Sequence, residues 1–258
     1  MMYRAYPCVR GEAGRFASDT HAVVEEAAFT LNVNGRNVMA AMVSPVDLED
    51  FIVGYLFTEE IIKGPGEIES IKIEKSVASV LTTNPFRVTG RKRVILSGCG
   101  GSAAGIDPKK LKPIESDLIL PYDAITDCIR EVMASDLHRL IGGIHSVGLA
   151  GPEGMIRRAE DIGRHNAFDR VIGYALRNGI DRSRTFAVSS GRISSETVRK
   201  CLVANIPVIA SRGASTSLAL DIAEWAGLCV IGFVRGEKMN IYTRPWRVEG
   251  AGDVAIER

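Results

Sequence analysis

The sequence predicts an α/β protein: a mixed sheet flanked by helices, preceded by a smaller α+β unit. Three observations carry this. From Pro121 onward, helix-period and strand-period segments alternate with short links. Before that point the chain is rich in strand patterns around one apolar helix. Between the two, Ser97 to Lys110 has no periodicity at all and KPIESDLILP reads as a connector, which divides the chain into 1–118 and 119–258.

The elements follow in order. Residues 22–43 read as a hairpin, because Phe29, Leu31 and Val33 alternate with polar neighbours and Asn34-Gly35 supplies the turn. Ser44-Pro45 reads as a helix start, with Ser44 as N-cap. Leu48, Phe51, Ile52, Tyr55 and Leu56 form that helix's apolar stripe, and Lys63-Gly64-Pro65 ends it. Strands are expected at 68–82 and 92–96. In the second half, a helix at 122–139 buries Ile125, Cys128, Ile129, Val132 and Met133. Strands at 144–150 and 155–160 enclose a turn, and a helix runs from Gly163 to Asn178. Strands at 185–190, 207–211, 228–234 and 239–243 alternate with helices at 193–205 and 216–226.

Composition excludes several classes. Thirty-two Lys and Arg against 31 Asp and Glu leave no bulk field for nucleic acid or an anionic membrane. The longest apolar runs, such as Leu228 to Val234, are too short to span a bilayer, and the first residues lack a signal-peptide core. Five scattered cysteines with no short-spaced pair fit neither a disulfide framework nor a zinc site, so a cytoplasmic protein without bound metal is expected.

Four groups of residues could carry chemistry. Cys99 is flanked by Gly98, Gly100 and Gly101, which leave its sulfur open on a loop free to move. The other four cysteines read as structural: Cys128 on an apolar stripe, Cys201 in a helix, Cys229 in a strand and Cys8 in an irregular N-terminus. Arg164 and His165, with Asp161, project onto the inward face of their helix, where a charge must be paired or line a cleft. Arg192 follows Ser189-Ser190-Gly191, and Arg212 opens a junction that includes Ser215 and Thr216. Both junctions place hydroxyls, glycine and arginine at a helix N-terminus, a setting that attracts anions. The turn Phe233, Val234, Arg235, Gly236, Glu237, Lys238 leaves a buried strand with two cations beside a glycine.

With GYLFTEEII (54–62), GGIHSVGLA (142–150), EDIGRHNAFDRVIG (160–173), SGRISSETVRK (190–200) and VIGFVRGEKMNIYT (230–243), the sequence resembles the formate dehydrogenase accessory sulfurtransferase (FdhD) family from about residue 25 to 244. The resemblance implies a cytidine-deaminase-like fold for the second half. It implies a carrier that takes sulfur from a cysteine desulfurase as a persulfide on Cys99. That sulfur would pass to the molybdenum or tungsten bis-guanine-dinucleotide cofactor, held as cargo on the 233–238 turn, before the cofactor enters the catalytic subunit of formate dehydrogenase. A homodimer is the expected state. The family's loop usually reads CGxCG, and here Ser102 stands at its second cysteine. A hydroxyl holds no sulfane sulfur, so the rival is a chaperone that binds the cofactor without moving sulfur. A zinc deaminase, the third reading that such a fold suggests, lacks the His/Cys-x-Glu and PCxxC motifs that would supply its ligands and general acid.

Overall fold

The computed structural model describes residues 2–88, 93–95 and 111–254. Cys99 and Ser102, with the segment that carries them, lie outside the described residues. The chain opens on β1 (Tyr3–Glu12) and β2 (Arg15–Val24), a two-stranded antiparallel ribbon. A five-stranded sheet follows, built from β3 (Ala27–Val33), β4 (Arg36–Val43), β5 (Ile68–Glu74), β6 (Val77–Thr82) and β7 (Arg93–Ile95) in the order β5-β6-β3-β4-β7. Helix α1 (Leu48–Thr58) packs on it through the edge-to-face pair Phe29–Phe51, 5.9 Å between ring centroids.

The second half supplies α2 (Tyr122–Met133), α3 (Asp136–Ile141), β8 (His145–Gly151), β9 (Gly154–Asp161), α4 (Arg164–Arg177), β10 (Phe186–Ser189), α5 (Ser195–Ala204), β11 (Val208–Ser211), α6 (Ser217–Ala226), β12 (Cys229–Arg235) and β13 (Lys238–Ile241). Its six strands form a mixed sheet in the order β13-β12-β11-β10-β8-β9. Strand residues alternate between the two faces. Leu149, Ala187, Ile209 and Val230 therefore join the core under α4, α5 and α6, while Ala150, Val188, Ala210 and Ile231 join the core under α2. This is the mixed sheet flanked by helices that the alternation predicts.

Helices α1 and α4 cross in backbone contact. A Cβ on Gly54 would stand 1.8 Å from the Asp169 carbonyl oxygen, and one on Gly173 would stand 1.9 Å from that of Asp50. No other side chain fits at either crossing point. Two buried ion pairs fix the same junction. Lys200 Nζ lies 2.6 Å from Asp169, which also accepts from the Thr58 hydroxyl at 2.7 Å. Arg170 donates to Asp161 and to the carbonyl of Ser44. GYLFTEEII and much of EDIGRHNAFDRVIG are thus the two sides of one packed joint.

Three sequence expectations are corrected. Ser44 does not cap α1: the helix begins at Leu48 behind Asp47, which takes φ 44°. Ser44 is engaged elsewhere, since its N–H donates to Asp161 and its hydroxyl accepts from Ile162 N–H. The helix expected over 122–139 is two helices, because buried Ser135 stops the first and caps the second by accepting from His138 N–H at 3.0 Å. The N-terminus is regular, and Cys8 is an exposed strand residue rather than a buried structural one. Cys128, Cys201 and Cys229 are buried as expected, their thiols pushed up to about 11, 12 and 12 by desolvation. No helix among the described residues is long and apolar enough to cross a membrane.

Candidate functional site

Strand direction decides which residues meet. β10, β11 and β12 are parallel, β8 runs against β10, and β9 runs against β8. The ends of β9, β10, β11 and β12 therefore gather at one edge of the sheet, together with the start of β8 at His145. The loops leaving that edge lead into the N-termini of α4, α5 and α6 and into the β12–β13 turn, the usual ligand position in an open α/β sheet.

The loops are bound to one another. The Ser211 hydroxyl donates to the Gly191 carbonyl at 2.5 Å and accepts from Gly213 N–H at 2.9 Å. Ile193 N–H donates to Ala214 O at 2.9 Å, and Phe233 N–H to Gly213 O at 3.0 Å. Ser146 and Ser190 exchange two hydrogen bonds of 3.0 Å across β8. These bonds tie four sequence segments into one rim.

Against the rim lies a cleft of about 600 Å³ lined by Met133, His138, His145, Ser190, Arg212 and Arg235 with neighbouring glycines. Arg164 and His145 both flank Gly191 at its side. Arg164, Arg192, Arg212 and Arg235 form no ion pair among the described residues, whereas Arg170, Arg177 and Arg199 are each matched to a carboxylate. Four buried polar atoms at this edge also lack a hydrogen-bond partner among the described residues: Arg164 Nε, His165 Nδ1, Ser146 Oγ and Ser215 Oγ. Unmatched donors gathered in one place suit a ligand rich in acceptors.

Two of the histidines here, His145 and His165, are shifted toward the neutral form. His165 is pushed down to about 2, first by burial and then by the Arg164 and Lys200 charges; its Nε2 stands 3.7 Å from Glu196. His145 is lowered as well, by burial and then by Arg164.

Of the residues singled out by sequence, Arg212 and Arg235 line the cleft directly. Arg164, His165, Arg192, Ser215 and Thr216 lie along the same edge, at the starts of α4, α5 and α6. Phe233 is half exposed at φ 54°, a strained setting for an aromatic residue, and sits in the bulge between Gly232 and Arg235. The Arg235 guanidinium lies 5.5 Å from its ring centroid. Val234 turns its side chain into the core beside α2. Gly236, Glu237 and Lys238 form the exposed turn beyond, where the Tyr122 hydroxyl donates to the Glu237 carbonyl. Asp161 is not part of the cleft, because its carboxylate is spent on Arg170, Asn166, Gly163 and Ser44.

His145, Ser190 and His138 line the cleft without having stood out in the sequence. His145 reads there as a lone structural histidine entering a strand. The antiparallel course of β8, which brings that strand's start to the others' ends, left no local signal.

Fold and edge together define an α/β protein with an arginine-lined cleft at the carboxyl ends of its strands. The comparisons specify it further. The chain belongs to the FdhD/NarQ family, whose model matches residues 24–249. It is 34% identical over 256 residues to the sulfur carrier protein FdhD of Geobacillus kaustophilus, covering 94% of this chain and 95% of that protein. It is likewise 34% identical over 247 residues to the sulfur carrier protein FdhD of Wolinella succinogenes, covering 93% and 86%. The crystal structure of a protein described as a formate dehydrogenase accessory protein from Desulfotalea psychrophila superposes with a TM-score of 0.81 at 28% identity, covering 96% of this chain and all of that one.

Proposed function

We propose that this protein is a sulfur carrier that serves the maturation of formate dehydrogenase. Its sulfur travels on Cys99, and its cleft holds the guanine-dinucleotide end of the molybdenum or tungsten cofactor that receives it. Membership of the FdhD/NarQ family and the likeness to sulfur carrier proteins support the sulfur role. The four arginines at one sheet edge that pair with no carboxylate among the described residues support the cargo, since a dinucleotide brings phosphates that such a cluster can match.

In the sulfur step, the Cys99 thiolate attacks the terminal sulfur of a cysteine desulfurase's persulfide. The donor's S–S bond breaks, the donor cysteine leaves as thiolate, and Cys99 becomes the persulfide. Arg212 and Arg235 would hold phosphate oxygens, Arg164 and Arg192 would complete the positive rim, and Ser190 and Ser215 would offer hydroxyls. In their neutral form, His145 and His165 each keep one ring nitrogen able to accept, so they can hold a proton donor without adding charge. A cofactor chaperone that moves no sulfur is the second reading, favoured by Ser102 in place of the family's second loop cysteine.

Mass spectrometry after incubation with a cysteine desulfurase and cysteine separates the two. A reducible addition of one sulfur on Cys99, absent from Cys99→Ser, is the expected result. Full client maturation by Cys99→Ser would instead establish the chaperone.

A further inference from the structure

The cleft draws its lining from two parts of the chain that offer different chemistry. Arg235, Arg212 and Ser190 stand at or just past the ends of β12, β11 and β10. The Ser190 oxygen already accepts from Ser146 N–H at 3.0 Å, so its hydroxyl hydrogen is left to donate. That end is a row of donors. Met133, His138, Gly142, Gly143 and Ile144 line the other end, beside the start of β8. Strand order sets three strand spacings, about 14 Å, between β12 and β8.

His138 is held from three sides. Its backbone N–H donates to the Ser135 hydroxyl at 3.0 Å, and its carbonyl accepts from Gly142 N–H at 2.8 Å. Its ring Nδ1 stands 2.9 Å from the Ile144 carbonyl oxygen. A carbonyl only accepts, so Nδ1 carries the hydrogen of that bond. In the uncharged ring Nε2 is then the lone-pair nitrogen, and it bonds to nothing among the described residues. Gly142 and Gly143 have no side chains to fill this end, and Met133 supplies a polarizable apolar wall. An acceptor fixed beside such a wall suits a flat ligand that presents an N–H. Guanine presents a ring N–H at N1, whereas adenine presents a lone pair at the same place.

We propose that His138 selects the base of the cargo: its Nε2 accepts from the N1–H of a guanine whose phosphates lie on Arg212 and Arg235. This role rests on the cargo seating proposed above. Adenine would set two lone pairs against each other, and a site built around a hydrogen bond rejects the analogue that lacks it. Calorimetry of the full chain with GDP and with ADP tests the role. The wild type should bind GDP about tenfold to a hundredfold more tightly than ADP. His138→Asn keeps an amide N–H for the Ile144 carbonyl but leaves no acceptor at the Nε2 position, and should bind both nucleotides alike. His138→Gln places an amide oxygen near that position and should keep the preference. Should His138→Asn misfold, N1-methyl-GDP reads the same contact on the wild type, where it should bind as weakly as ADP. A preference kept by His138→Asn, lost by His138→Gln or indifferent to the methyl group would overturn the role of His138. So would a wild type that binds GDP and ADP equally well. A wild type that binds neither nucleotide would instead remove the cargo seating, and the role with it.

Discussion

Arg170 Nη2 stands 2.6 Å from the Asp161 carboxylate, with both side chains sealed from solvent. The same guanidinium donates to the Ser44 carbonyl at 2.7 Å and to that of Val46, in the segment between β4 and α1. The end of β9, three residues before Arg164, is thereby bolted to the first half of the chain. The pair places the start of α4, and with it the arginine and histidine of the cleft edge.

Removing one partner should cost far more than removing both. Arg170→Ala leaves a buried carboxylate unpaired and should lower stability by about 3–5 kcal/mol, read as a fall in the urea midpoint. Asp161→Asn/Arg170→Met, which leaves no buried charge, should regain a large part of that loss. A single variant within about 1 kcal/mol of wild type would show that water reaches the pair.

If the cleft holds a guanine nucleotide through its phosphates, GDP should bind and the unpaired arginines should matter singly. Arg235→Ala and Arg212→Ala should each weaken GDP by about tenfold to a hundredfold in calorimetry, the worth of one hydrogen bond to a charged group. Arg130→Ala, which removes an exposed arginine already paired with Asp127, should leave the affinity unchanged. Equal affinities in all three variants would move the nucleotide elsewhere.

His165 should stay neutral through the acid range. Its folded-state value of about 2 lies below the unfolded value near 6.5. The unfolded chain thus binds the extra proton first. The stability this contributes is complete above about pH 6.5 and is lost as the pH falls toward 2, at up to about 1.4 kcal/mol per pH unit. His145, lowered in the same direction, adds to that loss. In His165→Gln the acid limb of the stability curve should be less steep, and the His165 Cε1 proton of the wild type should not titrate between pH 8 and 5. A midpoint near 6.5 in the NMR titration would place this ring in water.

The order of strands and helices was legible because each is written in local periodicity. Phe29, Leu31 and Val33 alternate, and Phe168, Val171, Ile172 and Ala175 recur at helical spacing, and all are buried where those patterns place them. The helix break before Ser135 was not legible, since its apolar stripe continues into α3 and the capping bond depends on a serine that also reads as an ordinary helix residue. The N-terminal ribbon was not legible, because the stretch around Cys8 mixes apolar and charged residues on one face and only the register of β1 with β2 joins the two strands.

For the cleft, the sequence by itself determined which residues were anomalous: arginines at helix starts, a charged pair on an inward face, cations in a turn after a buried strand. Charge on an apolar stripe is a local contradiction, and local patterns expose it. Only the tertiary structure decided their fates. It paired Asp161 with Arg170 and Ser44, drew His145 into the cleft, and turned Val234 into the core. Those outcomes hang on strand order and direction, which arise from contacts across more than a hundred residues, such as Ser44 with Asp161. The free energy of such contacts is shared among distant partners, so no window of sequence contains it.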